Sequence, residues 1–228
     1  MQNVNRDTVF YILLVISLIL TRVPIVGIYF RVVNTMIHET GHALMALFSS
    51  GSVLRVEYFS NTEGNALTKS SGRLGSILVS LAGYPFSSAM GLLFFYLIHS
   101  GWEVVVLYVV AGLAFINLFF FVRNRYGIFW LITFLLVTGS VLYFQQEFLL
   151  FAFPVFIAMI VMVDSLLSAV HLLLISLHTP KKAGDAKNLK KFTGIPAFVW
   201  ALLFMAFASY TVYLSVSLFF NLNLFIQK

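Results

Sequence analysis

Five residues inside an apolar stretch constrain this chain more than any others: His38-Glu39-Thr40-Gly41-His42. On a helix, positions i and i+4 project from the same face, so His38 and His42 would stand one above the other. Two neutral imidazoles in that relation are a metal-ligand pair. The intervening Glu is then free to act on a water. The flanking residues Met36, Ile37, Ala43, Leu44, Met45 and Ala46 are lipid-like. Ionisable groups in such surroundings are costly and mark function. Whatever fold the chain adopts must therefore give this segment a helix and shield it within a membrane.

Composition agrees. Of 228 residues, 61% are hydrophobic and 10% charged, against about 25% charged in a soluble domain. Mean hydropathy is +0.97. The chain contains no cysteine, which excludes disulfides, thiolate metal ligands and a Cys nucleophile. The five histidines are too few for a histidine-rich di-iron site. A net charge of +6 resides in loops, where it reads as a topology signal and not as nucleic-acid contacts.

Apolar runs at residues 8–30, 32–49, 74–98, 102–122, 128–144, 148–178 and 195–225 predict an all-α polytopic membrane protein. It has about six or seven spans of roughly 20 residues each in a single domain over 1–228. Arg31 and Asn34 mark the start of the 32–49 run. Gly83-Tyr84-Pro85 interrupts the third span. Segment 52–68 carries β-formers around Asn61-Thr62-Glu63-Gly64-Asn65 and predicts a small β-hairpin directly after the motif helix. Segment 179–194 is the one extended polar stretch and reads as a linker. With the amino terminus in the cytoplasm and alternating spans, most Lys and Arg, including those of 179–194, face inward.

A pair of histidines needs a third protein ligand. Asp164 lies near the middle of the 148–178 run, at the same depth as the His pair in its own run. A lone carboxylate there is expensive unless it meets a cation. His171, on the same face but about 10 Å nearer the cytoplasm, reads as a supporting or structural residue. Asp185 fits only if the linker folds back. Asn117 is a lone amide in a span, suited to an interhelical hydrogen bond. With one Zn²⁺ per chain, Glu39 would serve as general base toward a water activated by the ion.

The order His38-Glu39-Thr40-Gly41-His42-Ala43-Leu44, a hairpin, then Leu81-Ala82-Gly83-Tyr84-Pro85 resembles the site-2 protease family of intramembrane zinc metalloproteases. The resemblance implies that His38 and His42 are zinc ligands and Glu39 the catalytic base. The substrates it implies are transmembrane proteins cut in or near their spans, in the lipid bilayer of a bacterial plasma membrane. Two departures stand out. Asp164 is followed by Ser165 and not by the usual Gly, and Ser87 stands where the family's amide is usual. Residues 184–189, 193–196 and Trp200 resemble a segment of the family's compact, less typical branch, which keeps Asp185 as an alternative ligand. The rival expectation is a protease-like membrane protein without activity that binds transmembrane helices, or a transporter. A transporter predicts paired interrupted helices in two halves, a symmetry this sequence lacks.

Overall fold

The computed structural model describes residues 6–20 and 23–220. Eight α-helices and one hairpin follow in the order α1 (Arg6–Leu20), α2 (Val26–Phe48), β1 (Ser52–Tyr58), β2 (Gly64–Lys69), α3 (Gly72–His99), α4 (Glu103–Ile116), α5 (Arg125–Phe144), α6 (Glu147–His178), α7 (Gly184–Thr193) and α8 (Ala197–Phe220). Five segments among the described residues are long and apolar enough to cross a membrane. They are Gly72–His99, Glu103–Phe121, Arg125–Phe144, Glu147–His178 and Ala197–Phe219. The architecture is that of an all-α polytopic membrane protein with a small antiparallel hairpin. The carboxyl-terminal part of the last run, 221–225, lies outside the described residues.

The motif helix α2 is not among those five, and its surroundings explain why. Val32, Val33, Met36, Ile37 and Ala43 are wholly buried, as are Thr40 and Glu39 within a few per cent. A helix packed in protein on nearly every side need not be uniformly apolar. Alternation of lipid-facing and protein-facing sides instead falls on α4, α5 and α8, which expose Tyr108, Phe115, Phe129, Leu136 and Leu203.

The first two apolar runs do not divide as the sequence suggests. A turn at Val23–Ile25 ends the first helix early, and α2 then takes up the rest of the first run together with the second. Pro24 cannot supply an N–H to a continuing helix, and Ile25 adopts φ 70°, a conformation that breaks α geometry. Arg31 and Asn34, expected at a helix start, therefore lie inside α2.

The hairpin forms where predicted. Val56 pairs with Ala66, Glu57 with Asn65 and Tyr58 with Gly64, with a bulge between Val53 and Arg55. Its turn is closed by Phe59 N–H to Glu63 O at 3.0 Å and Thr62 N–H to Phe59 O at 3.1 Å. Beyond α4, residues Asn117–Phe121 form one π turn, after which Val122 bridges in parallel to Val56 of β1. Pro85 sits within the continuous helix α3, so the expected interruption costs one backbone hydrogen bond and does not end the helix.

The expectation of an extended linker at 179–194 is corrected. A 3-10 turn at Pro180–Lys182 leads into α7. Ala183, Ala186 and Leu189 are buried in a cluster with Leu172 of α6 and Ala197, Ala201 and Phe204 of α8, against Ile77, Leu81 and Tyr84 of α3. Alanine and leucine at this helical spacing give the segment an apolar stripe, while Lys187, Lys190 and Lys191 remain exposed. Gly194 closes the helix in the left-handed conformation at φ 81°. Arg73 of α3 donates from Nε to Phe192 O at 2.6 Å. The segment is thus held as a folded arm across the helix ends.

Candidate metal centre

The i, i+4 spacing does what the sequence predicts. The two imidazoles of α2 meet with Nε2 atoms 3.0 Å apart. Into the same space α7 sends Asp185, whose Oδ2 is 3.4 Å from His38 Nε2 and 3.2 Å from His42 Nε2. Among the described residues these three form the group able to hold a metal ion. A tetrahedral Zn²⁺ with bonds of about 2.0–2.1 Å needs donor atoms roughly 3.3 Å apart. The triangle of 3.0, 3.2 and 3.4 Å has that size.

Gly83 supplies the second test of fit. A Cβ built there would lie 2.5 Å from His38 Nε2 and 2.5 Å from His42 Nε2. A side chain there would press on both imidazoles, and the bare glycine leaves the two rings room to stand side by side. His42 Nδ1 is 2.7 Å from Val79 O. With that nitrogen donating to the carbonyl, Nε2 carries the lone pair that a metal requires. His38 is steadied differently: Tyr84 meets its ring edge-to-face at 4.6 Å and itself stacks on Phe204 at 5.0 Å. Burial would raise the Asp185 carboxyl, but His42 and His38 outweigh it and hold that group below the usual carboxylate range.

Glu39, between the two histidines, is 5% exposed. It accepts a hydrogen bond from the backbone of Ala66 in β2. A Cβ on Gly64 would come within 2.5 Å of its Oε1. Thr35, one turn earlier, donates to Thr62 O at 2.7 Å. The hairpin thus lies directly on the motif helix, with its β2 backbone facing the carboxylate.

The remaining candidates fall in different places. Asp164 is not beside the histidines. Its Oδ1 accepts from Arg31 Nε at 2.9 Å, so the cation that makes its burial tolerable is a guanidinium. Matching depth on two helices did not fix the direction in which the side chain points. Asp185, the alternative, occupies the third corner because the arm folds back. His171 is exposed on α6 and is not a member of the cluster. Ser87 is buried and bonds within α3 to Tyr84 O at 3.1 Å. Asn117 reaches the motif helix, donating to Thr40 Oγ1 at 2.7 Å. Gly83, Ala66 and Tyr84 were not singled out as site residues in the sequence. Gly83, two residues before a proline in a long apolar helix, was a hint of close approach.

Fold and site together define a class: polytopic helical membrane proteins that enclose a His-His-carboxylate cluster with a neighbouring glutamate. Within that class the chain belongs to the Peptidase M50B-like family, a site-2 protease family, whose profile matches residues 11–215. No curated protein and no solved structure gives a significant match.

Proposed function

We propose that this protein is a zinc-dependent intramembrane endopeptidase that hydrolyses peptide bonds in or near transmembrane segments of other proteins. The observation that carries the reading is the triangle of His38, His42 and Asp185 with Glu39 on the same helix. Those three residues would hold one Zn²⁺, which when bound lowers the pKa of water to about 7 and polarises a carbonyl.

The chain's own groups do the rest. Glu39 accepts the proton of the attacking water on its carboxylate and returns it to the amine as the C–N bond breaks, so the base is regenerated. Val79 O holds the His42 tautomer, and Tyr84 limits rotation of His38. Gly83 leaves the two imidazoles room to stand side by side. A helical substrate must unwind first, because its scissile carbonyl is tied in a helical hydrogen bond. The β2 edge, next to Glu39, suits an extended segment held by strand addition. The basic arm and the hairpin face the cytoplasm in this reading, as the loop charges favour.

The test is co-reconstitution with candidate single-span proteins. Glu39→Gln should abolish cleavage while elemental analysis still finds near one zinc per chain. Undiminished cleavage by that variant would falsify the mechanism.

A further inference from the structure

A chain of polar groups crosses the apolar body beside the metal centre. Tyr58, the last residue of β1, is wholly buried and donates its hydroxyl to Asn117 Oδ1 at 2.8 Å. Asn117, also wholly buried, donates from Nδ2 to Thr40 Oγ1 at 2.7 Å and to Leu113 O at 2.9 Å. Thr40 donates in turn to Met36 O at 2.6 Å. Each of these side-chain groups has a partner, which a buried network requires to be stabilising. Thr40 is the residue between Glu39 and Gly41 of the motif, so the chain ends on the motif itself.

The π turn makes this link possible. Val122 N–H bonds to Asn117 O at 2.7 Å, five residues back. The wide turn delivers Asn117 to Thr40 at its start and Val122 to β1 at its end. Isolated π turns are rare and concentrate at functional sites. Asn124, just beyond, grips the same tyrosine, accepting from Tyr58 N–H at 3.1 Å and donating to Tyr58 O. Arg123 N–H adds a bond to Val56 O at 3.2 Å. One face of the hairpin is therefore fastened to the α4–α5 connection. The other strand touches Glu39 through Ala66 and Gly64.

We propose that Asn117 is a positioning residue for the reaction: by joining Tyr58 to Thr40 it fixes how the hairpin sits on Glu39. The inference rests on the reading of Glu39 as general base. A network serving stability alone would affect folding and leave turnover by folded protein unchanged. A positioning network acts on the turnover of protein that is folded and loaded. A displacement of about 1 Å near reacting groups can cost on the order of a hundredfold in rate.

The experiment uses the full chain with Zn²⁺ and three variants. Tyr58→Phe removes one hydroxyl, Thr40→Val removes the acceptor on the motif, and Asn117→Ala removes the link. Zinc content, kcat and KM are measured separately. Hairpin placement is read as the distance between spin labels on cysteines introduced at the exposed positions Ser60 and Ser100 of this cysteine-free chain. Tyr58→Phe and Thr40→Val should each lower kcat about tenfold or more, with zinc near one per chain and a broadened label distance. The double variant should lose little beyond either single one, because both sever the same link. If Asn117→Ala does not fold, Tyr58→Phe decides the matter. An unchanged kcat and label distance in Tyr58→Phe, beside an inactive Glu39→Gln, would overturn the role of Asn117 alone. Full cleavage by Glu39→Gln would instead overturn the assignment of the base.

Discussion

Replacing Gly83 by alanine separates the metal centre from the helix that shields it. The new methyl carbon would lie 2.5 Å from His38 Nε2, His42 Nε2 and His38 Cε1. Ordinary carbon contacts need about 3.5 Å, so each ring must retreat by roughly 1 Å. A zinc–nitrogen bond tolerates about 0.2 Å. His42 cannot retreat from α3 without leaving Val79 O, and His38 cannot without disturbing its edge-to-face contact with Tyr84. Overpacking of this kind costs about 1–3 kcal/mol, which is roughly a five- to hundredfold weakening of zinc binding on the scale of about 1.4 kcal/mol per decade. The helix responds in the other direction. Gly83 is interior to α3, and alanine is favoured over glycine there by about 0.8–1.0 kcal/mol. Gly83→Ala should therefore keep its helicity and fold in detergent, yet bind zinc at least about fivefold more weakly in competition with a chelator. A variant that holds one zinc with unaltered affinity would show that the two imidazoles do not need the room Gly83 leaves them in order to bind the ion.

Two further outcomes follow, one from the site geometry and one from the loop charges. Asp185→Ala should lose zinc and cleavage, whereas Asp164→Ala should keep zinc and instead lose stability, by about 1.5–3 kcal/mol for a charge-assisted bond, read in thermal or denaturant melts; the reverse pattern would return Asp164 to the metal. Single cysteines at positions 146 and 187 report topology: the loop charges predict labelling of 146 from outside and of 187 only after the membrane is opened, and the opposite result would invert the orientation.

Local chemistry explains what could be read in advance. The His38–His42 pair depends on helical spacing alone, and the hairpin on a turn-forming run between β-formers, so both were legible. The third member of the cluster was not, because its position depends on tertiary docking. Asp164 was singled out by depth in an apolar run, and burial of a carboxylate does indeed demand a cation. The sequence could not say that Arg31, one helix away, was that cation. Asp185 was hidden by the lysines around it, which give residues 179–194 the average character of a linker. Periodicity was the better guide: Ala183, Ala186 and Leu189 form a buried stripe, and Gly194 supplies the stop. The division between α1 and α2 turned on Pro24 and on the positive φ of Ile25; the proline was a visible sign of a break, whereas Ile25, a residue type that seldom adopts positive φ, gave none.

The docked arm also bears on when the protein becomes competent. His38 and His42 emerge early in synthesis, and Asp185 follows only after α3 to α6 have been made. Until then the site would lack its carboxylate, and the surfaces that receive α7 would include an α8 not yet present. On the proposed reading metal affinity would accrue late, because a site assembled from distant parts of the chain gains its binding energy only on folding. A nascent chain would thus carry the motif through the membrane without a completed centre. Arming would coincide with closure of the bundle.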